Sequence, residues 1–190
     1  MTQAKANKAP SPPSVYELNP DLGAIYRHVF AVIVDNEPGV LARVIGLFSG
    51  RGYNIESLTV STVSEDQTTS RITIVTTGTE MIIQQIKAQL GRIVPVHDVH
   101  DLTMEGKMVE REFAMVKVLA SDHNRRESLR IADVFGAKVA DTTLTSFLFI
   151  LEGAPDRLDN FIELMRALGN VEIARSGTVA MTRGAEILHP

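Results

Sequence analysis

The apolar residues of this chain change their period in the same order twice, and that repetition limits the folds open to it. Residues 28–34, "HVFAVIV", are almost continuously apolar and β-branched, the pattern of a strand covered on both faces. From Val40 to Phe48 the spacing turns helical, with Val40, Leu41, Val44, Ile45, Leu47 and Phe48 on one stripe and Arg43, Gly46 and Ser49 off it. Gly50 and Gly52 then close the helix. Residues 55–63 and 71–77, rich in Ile, Val and Thr, flank the turn "SEDQTTS" and read as an antiparallel hairpin. A second stripe, Ile82, Ile83, Ile86 and Leu90, precedes "RIVPVHDVHDL", a strand that Pro95 confines to an edge or to a start beyond the proline.

After the polar link "TMEGKMVE" the order strand, helix, strand, strand, helix, strand recurs. It runs through "FAMVKVLAS", "RRESLRIADVFG", "AKVADTT", "TSFLFILEG", a helix opening at Ala154 and Pro155, and "VEIARSGTVAMT". Leu158, Phe161, Ile162, Met165 and Leu168 form that helix's apolar stripe. Each half is a split βαβ unit, which predicts an α+β fold of two tandem ferredoxin-like βαββαβ domains, over residues 27–105 and 112–184. A cut near Gly106 is expected to release an N-terminal half that folds and dimerises by itself. Three prolines among Lys, Ser and Asn within residues 1–14 predict disorder there, and the N-terminal extension is assigned residues 1–26. Val15, Tyr16, Leu18, Leu22, Ile25 and Tyr26 are candidates to dock on the domain that follows. Residues 185–190 are read as a tail.

Composition removes several classes of function. A net charge of −4 without a long basic run disfavours nucleic acid as a partner. The chain has no cysteine, so disulfides, thiolate catalysis and cysteine-ligated metal are excluded. No apolar run approaches a membrane span, and no targeting signal is legible, so the expected location is the cytoplasm.

The stretch that asks for a chemical explanation is "DNEPGVLARVIGLFSGRGYNIES", residues 35–57. A helix start leaves its first N–H groups without intrahelical partners and favours an anion. Asp35 or Asn36 is suited to cap it and Pro38 to its first turn. Gly39, read as part of that turn, is costly there unless its missing Cβ lets a carboxylate reach the backbone. Asn54, at the entrance of the next strand, offers a donor and an acceptor together. Cap, turn and helix stop account for the stretch on the residues alone, and a ligand site is the alternative. "GRGYNI" lacks the third glycine of a dinucleotide fingerprint and reads as a helix stop, and the aromatics needed for an RNA-binding sheet do not continue beyond "RGY". His97 and His100 of "HDVHD", three apart on a strand, point to opposite faces and read as edge polarity before metal ligands. Arg125, Arg126 and Arg130 read as a solvated basic face, and Phe147 and Phe149 as core. No nucleophile arrangement is legible.

Residues 28–105 resemble an ACT domain, a ferredoxin-like module that binds small molecules in amino-acid metabolism. "NEPGVLARVIGLFSGRGYNIESLTV", "SRITIV", "VEREFAMVKV" and "VEIARSGTVAMTRG" together resemble the small regulatory subunits of acetolactate synthase, in unbroken order over residues 28–184. "RGYNIESLTV" and "ARSG" are specific to that family. The departures are the segment before residue 28 and the loop "SDHNRRES". The resemblance implies a chain without catalytic residues or a cofactor of its own. Thiamine diphosphate, Mg2+ and FAD would belong to a catalytic large subunit, its partner, which makes the precursor of valine, leucine and isoleucine. It further implies a homodimer through paired ACT domains, with a branched-chain amino acid, typically valine, as feedback inhibitor. The effector would lie in the seam, on Asn36, Gly39 and Val40 at the helix start of one copy and on Asn54 and Ile55 of its mate. A stand-alone ACT-type sensor acting on another partner is the alternative.

Overall fold

The computed structural model describes residues 23–106, 108–185, 187 and 188. The expected disorder of residues 1–14 and the docking of Val15, Tyr16, Leu18 and Leu22 lie outside the described residues. Ile25 and Tyr26 are within them and are 71% and 48% exposed, so neither is buried on the domain that follows.

In the first half the strands are β1 (Tyr26–Asp35), β2 (Ser57–Thr62), β3 (Thr69–Gly78) and β4 (Val96–Asp101), joined in antiparallel order β2-β3-β1-β4. Helices α1 (Val40–Arg51) and α2 (Glu80–Leu90) cover one face. Phe30, Val32 and Val34 of β1, Ile72 and Ile74 of β3, and Val44, Phe48, Ile83, Ile86 and Leu90 of the helices make its core. The helical stripe is narrower than its apolar residues, because Leu41 and Ile45 of α1 remain 37% and 39% exposed. Gly52 ends α1 in a left-handed conformation, φ 69°, and β4 begins directly after Pro95 on the sheet edge, as the proline requires.

The second half repeats the plan with β5 (Met108–Leu119), α3 (Asp122–Val134), β6 (Lys138–Thr142), β7 (Ser146–Gly153), α4 (Pro155–Leu168) and β8 (Asn170–Arg175), in sheet order β6-β7-β5-β8. Ala154 is the N-cap of α4 and Pro155 opens it. Phe147 and Phe149 are core, their ring centroids 5.4 Å apart. The fold is therefore α+β, two ferredoxin-like units in tandem. Arg125 is not a solvated charge as expected: its guanidinium lies 3.8 Å from the Phe147 ring centroid and donates to the Ser146 carbonyl and Thr142 Oγ1.

Read as one strand, "VEIARSGTVAMT" is two. It breaks at Ser176–Thr178 and resumes as β9 (Val179–Thr182), which pairs with Met108–Arg111 of β5. The resulting ribbon stacks on the open face of the first sheet, where Ala180 and Met108 close a third apolar cluster with Val29, Ala31, Val75 and Leu102. The halves share this layer. Residues 27–105 alone would expose it, and a fully buried large apolar side chain is worth about 1.5–3 kcal/mol. The fragment is expected to unfold cooperatively, but at a clearly lower urea midpoint than the first half within the intact chain. Equal midpoints would mean that the ribbon contributes nothing to that sheet.

Candidate functional site

Neither Asp35 nor Asn36 caps α1. Asp35 Oδ1 lies 2.6 Å from His97 Nε2, and Asn36 Nδ2 donates across to the β2–β3 turn, at 2.8 Å to the Gln67 carbonyl and 3.4 Å to Thr62 Oγ1. Gln67 is held there at φ 59°. The N-cap is Gly39, one residue outside the helix and not within its first turn, in a left-handed conformation with φ 88° and without a side-chain cap. Its glycine has two reasons. Positive φ penalises an L side chain by about 1–2 kcal/mol, and a Cβ at this position would meet nothing within 4 Å, so the approach to the helix start is open. The first turn of α1 carries no acidic residue. The N–H groups of Leu41 and Ala42 and the positive end of the dipole remain available to an anion. Pro38 lies in the turn before the cap, and Val40 buries its side chain in the first core while its N–H donates back to the Glu37 carbonyl at 3.4 Å.

Asn54 and Ile55 lie at the other end of α1, in the loop before β2 rather than on the strand itself. The Asn54 carbonyl accepts from the buried Thr76 hydroxyl at 2.6 Å, which pins the backbone while the residue stays exposed. Ile55 is half-buried against the first core. The helix has 12 residues, so its ends are about 18 Å apart at 1.5 Å per residue. One chain does not bring Asn36 and Gly39 to Asn54 and Ile55. Tyr53 packs edge-on to Phe48 and donates to Gln85, so it is not a stacking platform. Each nitrogen of His100 meets a carboxylate, Asp98 at 2.8 Å and Glu105 at 3.0 Å, and no three His, Asp or Glu residues are arranged around a metal position among the described residues. No helix among them is long and apolar enough to cross a membrane.

A second constellation, absent from the sequence reading, sits where the halves meet. Glu112 of β5, 7% exposed, takes Arg175 Nε at 2.8 Å, Arg175 Nη2 and the Thr178 hydroxyl at 2.6 Å. Arg175 also reaches Asp159 at 2.5 Å. Burial pulls the Arg175 guanidinium down, but hydrogen bonds and charge from Glu112 and Asp159 outweigh it and raise its proton affinity. Thr178 N donates to Ser57 Oγ at 2.8 Å, and Thr59 Oγ1 donates to the Thr178 carbonyl at 3.1 Å, fastening this corner to β2. A cavity of about 470 Å3 opens beside it between Arg27, Glu56, Glu112, Asp159 and Arg175. The only signal in the sequence was "ARSG" itself.

Residues 30–98 match the AHAS small subunit-like ACT domain family, and residues 111–184 match the small subunit of acetolactate synthase. The acetolactate synthase isozyme 3 small subunit of Salmonella typhimurium is 45% identical over 163 residues, 85% of this chain and 99% of that protein. A probable acetolactate synthase small subunit of Archaeoglobus fulgidus is 42% identical over 158 residues, 83% and 98% of the two chains. The crystal structure of the acetolactate synthase small subunit from Thermotoga maritima superposes with a TM-score of 0.73 at 35% identity, covering 85% of this chain and 99% of that one. The chain belongs to the acetolactate synthase small subunit family. Members of this family are regulatory subunits with an ACT domain, and here that domain carries the open helix start at Gly39.

The junction gives this family fold a sharp steric requirement. Gly177 has φ 81°, and a Cβ on it would stand 2.7 Å from Ser57 Oγ and 3.0 Å from Thr59 Cγ2. Gly177→Ala is expected to cost about 2–4 kcal/mol, from left-handed strain plus overpacking. Adding Ser57→Ala should recover part of that loss. Equilibrium denaturation of both variants reads the effect, and an unchanged Gly177→Ala midpoint would mean that the corner is not tightly seated on β2.

Proposed function

We propose that this chain docks on the catalytic large subunit of acetolactate synthase, raises its turnover and makes it responsive to a branched-chain amino acid, valine foremost, held between the ACT domains of two copies. The observation that carries the reading is Gly39, an uncapped left-handed helix start with open space beside it and no acidic residue in the following turn. Such a start offers N–H groups and a positive dipole end to an α-carboxylate. The distance between the two ends of α1 supports a shared site, since Asn54 and Ile55 meet Gly39 only if a second copy supplies them. Leu41 and Ile45, exposed on the helix that starts at Gly39, give a second copy apolar surface to cover. The chemistry of acetolactate formation belongs to the large subunit with its thiamine diphosphate, Mg2+ and FAD. This chain's part is to favour one packing of the ACT pair over another when the effector is bound.

Metabolite control near 0.1–1 mM corresponds to about 4–5.5 kcal/mol of binding, and a charge-assisted hydrogen bond contributes about 1.5–3 kcal/mol of such a total. Gly39→Asp places a carboxylate where the effector's would sit. Gly39→Asn imposes similar backbone strain without the charge, and both residue types tolerate the left-handed region. The chain alone should form no acetolactate but should activate the large subunit. In the reconstituted enzyme Gly39→Asp should still activate yet lose inhibition by valine. Gly39→Asn should shift the half-inhibitory concentration by less, and Asn54→Ala should weaken inhibition in the same direction. A normal inhibition curve for Gly39→Asp would refute the carboxylate cradle, and acetolactate formation by the chain alone would refute the assignment of chemistry to the partner.

A further inference from the structure

On the outer face of the first sheet, the ribbon of β5 and β9 stops short of the sheet edge and leaves a groove of about 650 Å3. Thr59, Thr73 and Arg71 of the sheet form one wall, and Arg111, Val179 and Met181 of the ribbon form the other. Among the described residues no Asp or Glu lines it, although the chain as a whole carries a net charge of −4. Arg71 donates to the Ala180 carbonyl at 2.7 Å and Arg111 to the Glu110 carbonyl at 2.8 Å. Among the described residues neither forms an ion pair. A guanidinium has five N–H donors, so both retain most of their hydrogen-bonding capacity. Arg71 is moreover half-buried, and burial alone lowers its proton affinity, the mark of a cation desolvated without a counter-charge.

Charge and shape together identify the class of occupant. Two uncompensated guanidinium groups call for carboxylate. The rim is apolar and open, with Val60, Val179 and Met181 at 43%, 54% and 66% exposure. A small-molecule site normally buries 70–90% of its ligand, and a rim this exposed would leave an amino acid largely in water. Arginine and methionine set in an apolar patch are instead the composition of a protein-docking surface. We propose that the groove receives a segment of the catalytic large subunit bearing apolar side chains beside at least one carboxylate. The inference rests on the large subunit being the partner, as proposed above. The groove is also built jointly by the two halves, so a segment lying in it touches β2 and the ribbon at once.

The test uses Arg111→Glu and Met181→Asp, both at exposed positions, in the full-length chain, with thermal melts as a check on folding. Each is titrated into the large subunit, reading the small-subunit concentration at half-maximal activation, and sedimentation of the free small subunit reads self-association. Each variant should need at least tenfold more protein than wild type, and high salt should narrow the gap for Arg111→Glu by screening the wild-type contact. Wild-type activation with both variants within twofold of it would overturn the groove assignment while leaving the functional reading intact. Failure of the wild type to activate would instead defeat the functional reading on which the groove depends. Altered self-association with unchanged half-activation would also overturn the proposal, by making the groove a contact between copies.

Discussion

One strand, β5, belongs to two layers at once, and the arrangement of the rest follows from it. Met108–Arg111 pairs with β9 above the first sheet, and the stretch from Glu112 onward pairs with β7 inside the second. A continuous strand of 12 residues holds its two ends in fixed relation, so the ribbon cannot shift over the first sheet without moving the second. At the transition sits Glu112, a carboxylate too buried to stand alone and therefore held by Arg175 and Thr178. Those partners come from either side of the Gly177 corner, and the corner is hydrogen-bonded to Ser57 and Thr59. The result is a closed circuit through β5, the corner and β2, in which each member's position depends on the others.

Such a circuit matters for a chain whose proposed role is to report on a bound effector. Regulation requires two arrangements with different affinity for effector and partner, and an effector seam acts at a distance only through something that moves with it. Asn54 and Ile55 stand just ahead of β2, so anything that repositions them pulls on the residues to which Thr178 is fastened. Packed interiors pass such displacements on because they have little free volume to absorb them.

The elements were legible where local chemistry decides. Period changes placed the helices and strands, Pro155 opened α4, Gly52 closed α1, and Pro95 put β4 on the edge. The reading failed where a distant partner decides. Asp35 and Asn36 are good capping residues by type, but His97 and the β2–β3 turn, both remote in sequence, claim their side chains. Gly39 then takes the cap by conformation alone, which no spacing rule announces. Arg125 looked solvated because nothing near it in sequence is aromatic, while Phe147 supplies a ring across the fold. The break after Arg175 was hidden because apolar alternation resumes beyond it, and only the register of β9 with β5 separates the two strands. Of the candidate site, Gly39 and Asn54 were visible from residue type. That they lie at opposite ends of one helix follows from the order of elements, whereas the junction built around Glu112 depends on contacts that join residues more than 60 positions apart.

β2 is where these features meet. The loop before it holds Asn54 and Ile55, Ser57 and Thr59 fasten it to the second half, and Thr59 and Val60 line the groove that carries Arg71 and Arg111. As an edge strand it shares a backbone ladder with β3 alone among the described strands, which leaves its backbone freer to shift than that of the doubly flanked β1 and β3. A signal passing from the effector seam to a docked partner would therefore cross one strand of six residues. It would not need to deform the buried centre of either sheet. The six inward- and outward-facing positions of that strand divide the work between them. Leu58 packs against the core, while Ser57 and Thr59 turn to the corner. A displacement along β2 would then alter both surfaces while leaving the core contacts of β1 and β3 in place.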